Sequence, residues 1–261
     1  METFNTKYIF LSSYVYGPPK YLPIDIHHPP NPHNDYSKIK LKCEKLCKQY
    51  SDKYNISSII LRLFNIYGKK QRAGYIFSDI INQIENNKIY VKNLNSKRDF
   101  LHVSDLTSLI RKIIINNFNE GKIFNVGSGK STSINEITEI FVKLKSSLEF
   151  LVAQTKSQEE MKKERWIKST LIKDCYANIK DLEDIYNWQP KISIEEGIKK
   201  LLNNDELNIN QSINVDANSK SLSARINNTT INLLSPIALK YSYNTVDGTL
   251  LTISDMFCIL L

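Results

Sequence analysis

Short apolar runs alternate with longer segments of helical period along most of the chain. Residues 8–13 (YIFLSS) read as a buried strand with almost no lead-in, followed by a proline-rich, aperiodic loop over 18–35. A helical pattern runs from about Tyr36 to Tyr54. Residues 56–64 (ISSIILRLF) are β-branched and apolar enough for a fully buried, parallel strand. The pattern then predicts a helix at 75–87, a strand at 88–92, a helix at 104–117 and a strand at 122–126. A helix over 133–146 follows Gly127-Ser128-Gly129, and two more fall near 178–187 and 193–203. Strands and helices alternating at these lengths mean an α/β fold.

The pattern fades near residue 205. Of the 56 residues from Glu206 to Leu261, 20 are Ser, Thr or Asn and 7 are charged, against 55 charged residues in the first 205. This stretch is expected to be an atypical, poorly ordered tail outside the main fold.

With 41% hydrophobic and 24% charged residues, the 261-residue chain has the composition of a globular protein. The formal net charge of +8 invites an anionic partner. The candidates are nucleic acid, anionic lipid or a phosphorylated substrate, but most lysines are spread along helices as solvated faces and no nucleic-acid-binding motif is present. Cys43 and Cys47 are four apart in a helical pattern, which is not the spacing of a metal or redox pair, and free thiols are expected. His27, His28 and His33 share the proline-rich loop with no Cys or carboxylate at ligand spacing, so no metal is assigned. No apolar run is long enough for a membrane span or a secretory signal, and a cytoplasmic location is expected.

Tyr36 and Lys40 carry the candidate chemistry. Residues i and i+4 of a helix share a face, so the two can point into one cleft. A phenol titrates near ~10, and a useful base needs a value nearer ~7, a difference of about 4 kcal/mol. One ammonium ~4 Å away supplies on the order of 4 kcal/mol at an effective dielectric of ~20. A Tyr-x-x-x-Lys pair alone is weak evidence in a chain with 14 tyrosines. Its context is stronger: Ser12-Ser13-Tyr14-Val15-Tyr16-Gly17 precedes it, and Arg62-Leu63-Phe64-Asn65-Ile66-Tyr67-Gly68 follows.

This ordered set resembles the extended short-chain dehydrogenase/reductase family, in particular the NAD-dependent nucleotide-sugar epimerases and dehydratases. Downstream, Arg98-Asp99-Phe100-Leu101-His102-Val103-Ser104-Asp105, Phe124-Asn125-Val126-Gly127 and Asn187-Trp188-Gln189-Pro190 are similar to further segments of that family, so that the likeness runs from about Lys7 to Leu202. The resemblance implies a partial Rossmann-type domain, a doubly wound parallel sheet lacking its first strands, over residues 1–70. A smaller α/β substrate-binding domain over 71–205 and the tail over 206–261 would complete the chain. It implies NAD or NADP as cofactor and a nucleotide-diphosphate sugar as substrate. Ser12 and Tyr36 would handle the reacting hydroxyl, while Lys40 would bind the nicotinamide ribose and tune Tyr36. Ser13 and Asn65 would contact the substrate, and Arg98 and Lys168 the diphosphate. For Arg98, an ion pair with Asp99 or Asp105 is the alternative. His102 is expected to be structural, and Gly127-Ser128-Gly129 a tight turn rather than a phosphate cradle.

The chain also departs from the family. None of its eight glycines forms the Gly-x-x-Gly-x-x-Gly turn that grips the cofactor pyrophosphate, so it is expected to be N-terminally truncated and inactive alone. The expected partner is a second copy in a homodimer or a separate N-terminal half. Ser13 and Tyr14 stand where the 4,6-dehydratases carry acids, and Tyr14 where the decarboxylases keep a Glu. That leaves epimerase-type oxidation and re-reduction at the sugar C4. Lys168 replaces a family arginine and keeps its charge without the bidentate fork. The alternative function is a non-catalytic sugar-nucleotide-binding or interaction module, or one half of a split enzyme.

Overall fold

A computed structural model describes residues 7–84, 88–116, 121–145, 149–152 and 172–203, together with strands at 221–226, 229–234, 243–244, 250–251 and 258–260. Its centre is a parallel trio, β1 (Lys7–Ser13), β2 (Ser57–Leu63) and β7 (Lys122–Val126), in which β2 lies between the other two. The near-continuous apolar run in β2 is what a strand covered on both faces needs. Helix α1 (Asp35–Tyr54) packs on one face through Tyr8, Phe10, Ile60 and Cys43. The other face, carrying Ile9, Ile59, Leu61, Phe124 and Val126, is covered by α3 (Val103–Ile115) and α5 (Lys180–Tyr186). Helices on both faces of a parallel sheet make this an α/β fold of the doubly wound kind.

On the far edge of β1 lies β14 (Cys258–Leu260), antiparallel, and beyond it β11 (Thr229–Leu234) and β10 (Ser221–Ile226). Strands from the stretch after residue 205 thus extend the sheet on the β1 side. Two more, β12 (Tyr243–Asn244) and β13 (Leu250–Leu251), form a separate antiparallel pair.

A second apolar cluster gathers α2 (Ile76–Gln83), α4 (Ile134–Leu144) and α6 (Ile194–Leu202) against β4 (Lys88–Val91) and β6 (Phe100–His102). Within it Tyr67 of β3 (Asn65–Tyr67) stacks on Phe77 at 4.1 Å, and Phe77 meets Phe100 edge-on at 5.2 Å. α6 lies against the Tyr67 ring at Gly197, where any Cβ would collide with the phenol. Three short pairings lie in or beside this region: β3 with β6, β5 (Lys97–Arg98) with β8 (Thr132–Ser133), and β4 with β9 (Glu149–Val152). The longer helices start where the pattern places them, and each has a chemical reason. Asn34 accepts from the Ser37 amide at 2.8 Å to cap α1, and Ser133 and Glu136 form a reciprocal capping box on α4.

Candidate active site

α1 presents Tyr36, Lys40 and Glu44 one turn apart, toward the carboxyl end of β1. Tyr36 is 47% exposed, whereas Lys40 is 4% exposed. The Lys40 ammonium donates to the Leu11 carbonyl at 3.1 Å and sits 5.5 Å from the centre of the Tyr36 ring and 5.2 Å from that of Phe10. The i,i+4 pair is therefore a true neighbour pair, anchored at the end of β1 beside Ser12.

Ser12 is buried, and its hydroxyl donates to Glu44 Oε1 at 2.5 Å. Glu44 in turn takes three hydrogen bonds from Arg62, including Nη2 at 2.7 Å. Arg62 Nη1 donates to the Tyr16 hydroxyl at 2.9 Å, Tyr16 donates to Asn125 Oδ1 at 2.6 Å, and Asn125 Nδ2 donates to the Ile24 carbonyl at 2.9 Å. Strand register explains the arrangement: Ser12 is paired with Arg62 and Arg62 with Asn125, so the three form one polar row across the sheet. Burial alone would lower the Arg62 pKa, but its bonds to Glu44 and Tyr16 more than offset this, and the net shift is upward. Burial raises the Tyr16 phenol.

A second polar centre lies at Asp99, which is fully buried. Its carboxylate accepts from the amides of Ser128 at 2.5 Å, Gly129 at 3.1 Å and Ala177 at 3.0 Å, and from the Ser128 hydroxyl at 2.7 Å. Burial pushes this carboxyl up, and the donated bonds pull it back. The amides of the Gly127-Ser128-Gly129 turn thus hold Asp99, in line with a turn rather than a phosphate cradle.

Asn65 reaches this centre, and Arg98 directly precedes Asp99 in the chain. Asn65 Nδ2 donates to the Asp99 carbonyl at 3.1 Å, and Arg98 Nη1 donates to the Lys97 carbonyl at 2.7 Å. The Arg98 charge also reaches Tyr14 and Cys175, lowering both, although burial raises each on balance and carries the Cys175 thiol to about 11. Asp105, the other acid considered for Arg98, accepts from the Lys191 and Ile192 amides. Ser13 alternates to the sheet face opposite Ser12, in register with Leu63. Lys168 lies outside the described residues. His102 caps α3, accepting from the Ser104 amide through Nδ1 at 3.2 Å, and burial lowers its pKa.

Sequence reasoning assigned no role to Glu44 or Arg62. Both had a signal: Glu44 continues the Tyr36–Lys40 ladder by one more turn, and Arg62 is a charge inside an otherwise apolar strand. Behind α1 a cavity of about 410 Å³ is lined by Glu44, Lys45, Lys48, Ile60 and Arg62 among others, and by none of the site residues chosen from sequence.

The model of the family described as GDP-mannose 4,6 dehydratase matches residues 3–201. The chain belongs to the NAD-dependent epimerase/dehydratase family. A Methanocaldococcus jannaschii relative named "Putative UDP-glucose 4-epimerase" is 35% identical over 76% of this chain and 62% of its own length. The GDP-6-deoxy-D-mannose reductase of Pseudomonas aeruginosa is 24% identical over 80% of this chain and 68% of its own. Among solved structures, RMD from Pseudomonas aeruginosa in complex with NADPH superposes with a TM-score of 0.65 at 24% identity, covering 76% of this chain and 66% of that one. The UDP-glucuronic acid 4-epimerase of Bacillus cereus, in complex with UDP-glucuronic acid and NAD, gives 0.64 at 24% identity, covering 75% and 60%. These likenesses agree on the epimerase/dehydratase fold, whose described helices include none long and apolar enough to cross a membrane. The chain spans about three-fifths of the length of the M. jannaschii relative.

Proposed function

We propose that this chain carries the catalytic and sugar-nucleotide-binding part of an NAD-dependent nucleotide-sugar 4-epimerase. The observation that carries the reading is the placement of the Lys40 ammonium, 5.5 Å from the Tyr36 ring and tied to the Leu11 carbonyl next to Ser12. A positive charge beside a phenol favours its phenolate by Coulombic attraction. Water around the half-exposed Tyr36 weakens this pull, and a bound sugar that displaces water restores it.

The residues present fit one end of the cofactor. Lys40, tied to the Leu11 carbonyl beside Ser12, would bind the nicotinamide ribose, with Tyr36 one helical turn away. The pyrophosphate end has no matching glycine turn among the chain's eight glycines. NAD, when bound, would supply the hydride-accepting and hydride-donating chemistry at the sugar carbon. The chain's own part is to take the C4 hydroxyl proton at Tyr36 Oη and give it back. Arg98 and Lys168 neutralise the diphosphate, and Asn65 contacts the sugar nucleotide. Ser13 and Tyr14, which carry no carboxyl group, favour epimerisation over dehydration.

The test is conversion of UDP-glucose to UDP-galactose with added NAD, followed by NMR. Tyr36→Phe is expected to lower the rate by about 10²- to 10⁴-fold, the usual contribution of a general base. Undiminished turnover in Tyr36→Phe would remove the reading. Calorimetric titration with UDP-glucose tests binding separately, and Arg98→Ala is expected to weaken it.

A further inference from the structure

Six hydrogen bonds converge on the buried Asp99. Oδ1 accepts from the Ser128 amide and hydroxyl, and Oδ2 from the Gly129 and Ala177 amides. The main-chain carbonyl accepts from the Asn65 amide and from Asn65 Nδ2, both at 3.1 Å. One residue thus ties together the chain after β2, the turn after β7 and the segment around Ala177. The turn is held again further on, where Thr132 and Ser133 of β8 pair with Arg98 and Lys97. Arg98 therefore sits between two anchors, the β8 pairing and the Asp99 carboxylate. Gly127 shows how close the fit is, since any Cβ there would run into Asp99 Oδ2.

We propose that Asp99 is a positioning residue for the sugar nucleotide, which sets the placement of Asn65 and Arg98 by clamping the loops at the carboxyl ends of β2 and β7. The inference rests on the reading of Asn65 and Arg98 given above. Asp99 acts on each differently. Its carbonyl needs a donor, so it fixes which end of the Asn65 carboxamide turns inward. Its carboxylate holds the backbone beside Arg98, so the guanidinium starts from a fixed Cα.

An ionised carboxylate is the group that four converging donors require, because it only accepts. Asparagine has the same shape and fails on one side. With its oxygen toward the Gly129 and Ala177 amides, its NH₂ faces Ser128. The Ser128 hydroxyl can rotate to accept, but the Ser128 amide is stranded. Turned the other way, the NH₂ confronts two amides at once. Either orientation leaves a buried N–H without an acceptor, and the loops must shift to satisfy it.

The probe is UDP, which carries the diphosphate without the sugar, titrated calorimetrically into the full chain. Asp99→Asn is expected to weaken its binding about tenfold, roughly the worth of one charge-assisted hydrogen bond. Gly127→Ala keeps Asp99 but pushes its carboxylate aside, and should have a similar effect. In an Arg98→Ala background, Asp99→Asn should cost no more than about threefold, because the main group it places is gone. A merely structural Asp99 would lower the urea midpoint and leave the affinity of the folded chain unchanged. That result overturns the proposal, and so does a full tenfold loss in the Arg98→Ala background. Should Asp99→Asn and Gly127→Ala fail to fold, Ser128→Ala deletes a single donor and should weaken UDP binding about threefold. Unchanged affinity there overturns the proposal as well.

If the wild type does not bind UDP, or Arg98→Ala binds it equally well, the reading of Arg98 as a diphosphate ligand fails. Nitrogen–proton NMR of the ligand-free chain then decides the clamp by itself. The Asn65 Nδ2 protons should be protected from solvent exchange in the wild type and less protected in Ser128→Ala. Equal protection in the two chains overturns the clamp.

Discussion

Two regions of this molecule solve burial in opposite ways. At the carboxyl end of β2, the α1 face of the sheet is polar, and each side chain of the Ser12–Glu44–Arg62–Tyr16–Asn125 chain has a partner. Around Tyr67, Phe77, Phe100 and Phe141 the interior is aromatic, and the Tyr67 hydroxyl is buried with no hydrogen-bond partner among the described residues. The first region depends on matched donors and acceptors, the second on shape. The same residue type, tyrosine, therefore carries opposite weight in the two places.

The strongest way to break the polar side is Glu44→Ala. It leaves Arg62 charged, buried and without its counter-ion, and urea unfolding should register a loss of about 3–5 kcal/mol. Adding Arg62→Met to Glu44→Leu should recover most of that loss, because no lone charge remains. Additive losses in the double variant would count against this account of the row.

A smaller effect sharpens the contrast directly. Tyr16→Phe leaves Arg62 Nη1 and Asn125 Oδ1 short of a partner and should cost about 1–3 kcal/mol. Tyr67→Phe removes a hydroxyl that nothing satisfies and should be neutral or slightly stabilising, within about 0.5 kcal/mol. Equal urea midpoints for the two variants would erase the distinction.

The smallest effect concerns pH on the aromatic side, where His102 meets the Tyr67 ring edge-on at 5.3 Å. Burial holds its imidazole below the usual 6.5. The folded state thus favours the neutral ring, whose Nδ1 must accept from the Ser104 amide. The stability it contributes is present above about pH 6.5 and is lost as pH falls from there toward its lower folded value. Unfolding midpoints should therefore decline from pH 7.5 to 5.5, and His102→Asn should flatten part of that slope.

Sequence periodicity revealed one of these regions better than the other. The helices over 35–54, 103–115 and 134–144 follow apolar patterns that reach across ten or more residues, and the strands at 7–13 and 57–63 follow apolar runs of seven. The two- and three-residue strands β3, β5, β6 and β8 are too short to show a period, and the chain around them reads as loop. The Tyr36–Lys40 pair was visible because its partners are four residues apart. Glu44 and Arg62 are 18 apart, and Tyr16 and Asn125 are 109 apart, so no local pattern could have paired them. What the sequence did hold was the anomaly of a lone arginine in an apolar strand, which calls for a counter-ion somewhere.

That polar row also has a bearing on how the strands find one another. Apolar faces alone would tolerate β2 sliding by two positions along β1, since side-chain orientation repeats every second residue. Such a slide would set the Arg62 guanidinium beside Phe10 and draw it away from Glu44, leaving a stranded charge at a cost of several kcal/mol. Ser12, Arg62 and Asn125 thus work as an alignment key, admitting one register of the three central strands and rejecting the misaligned neighbours that hydrophobicity by itself would accept.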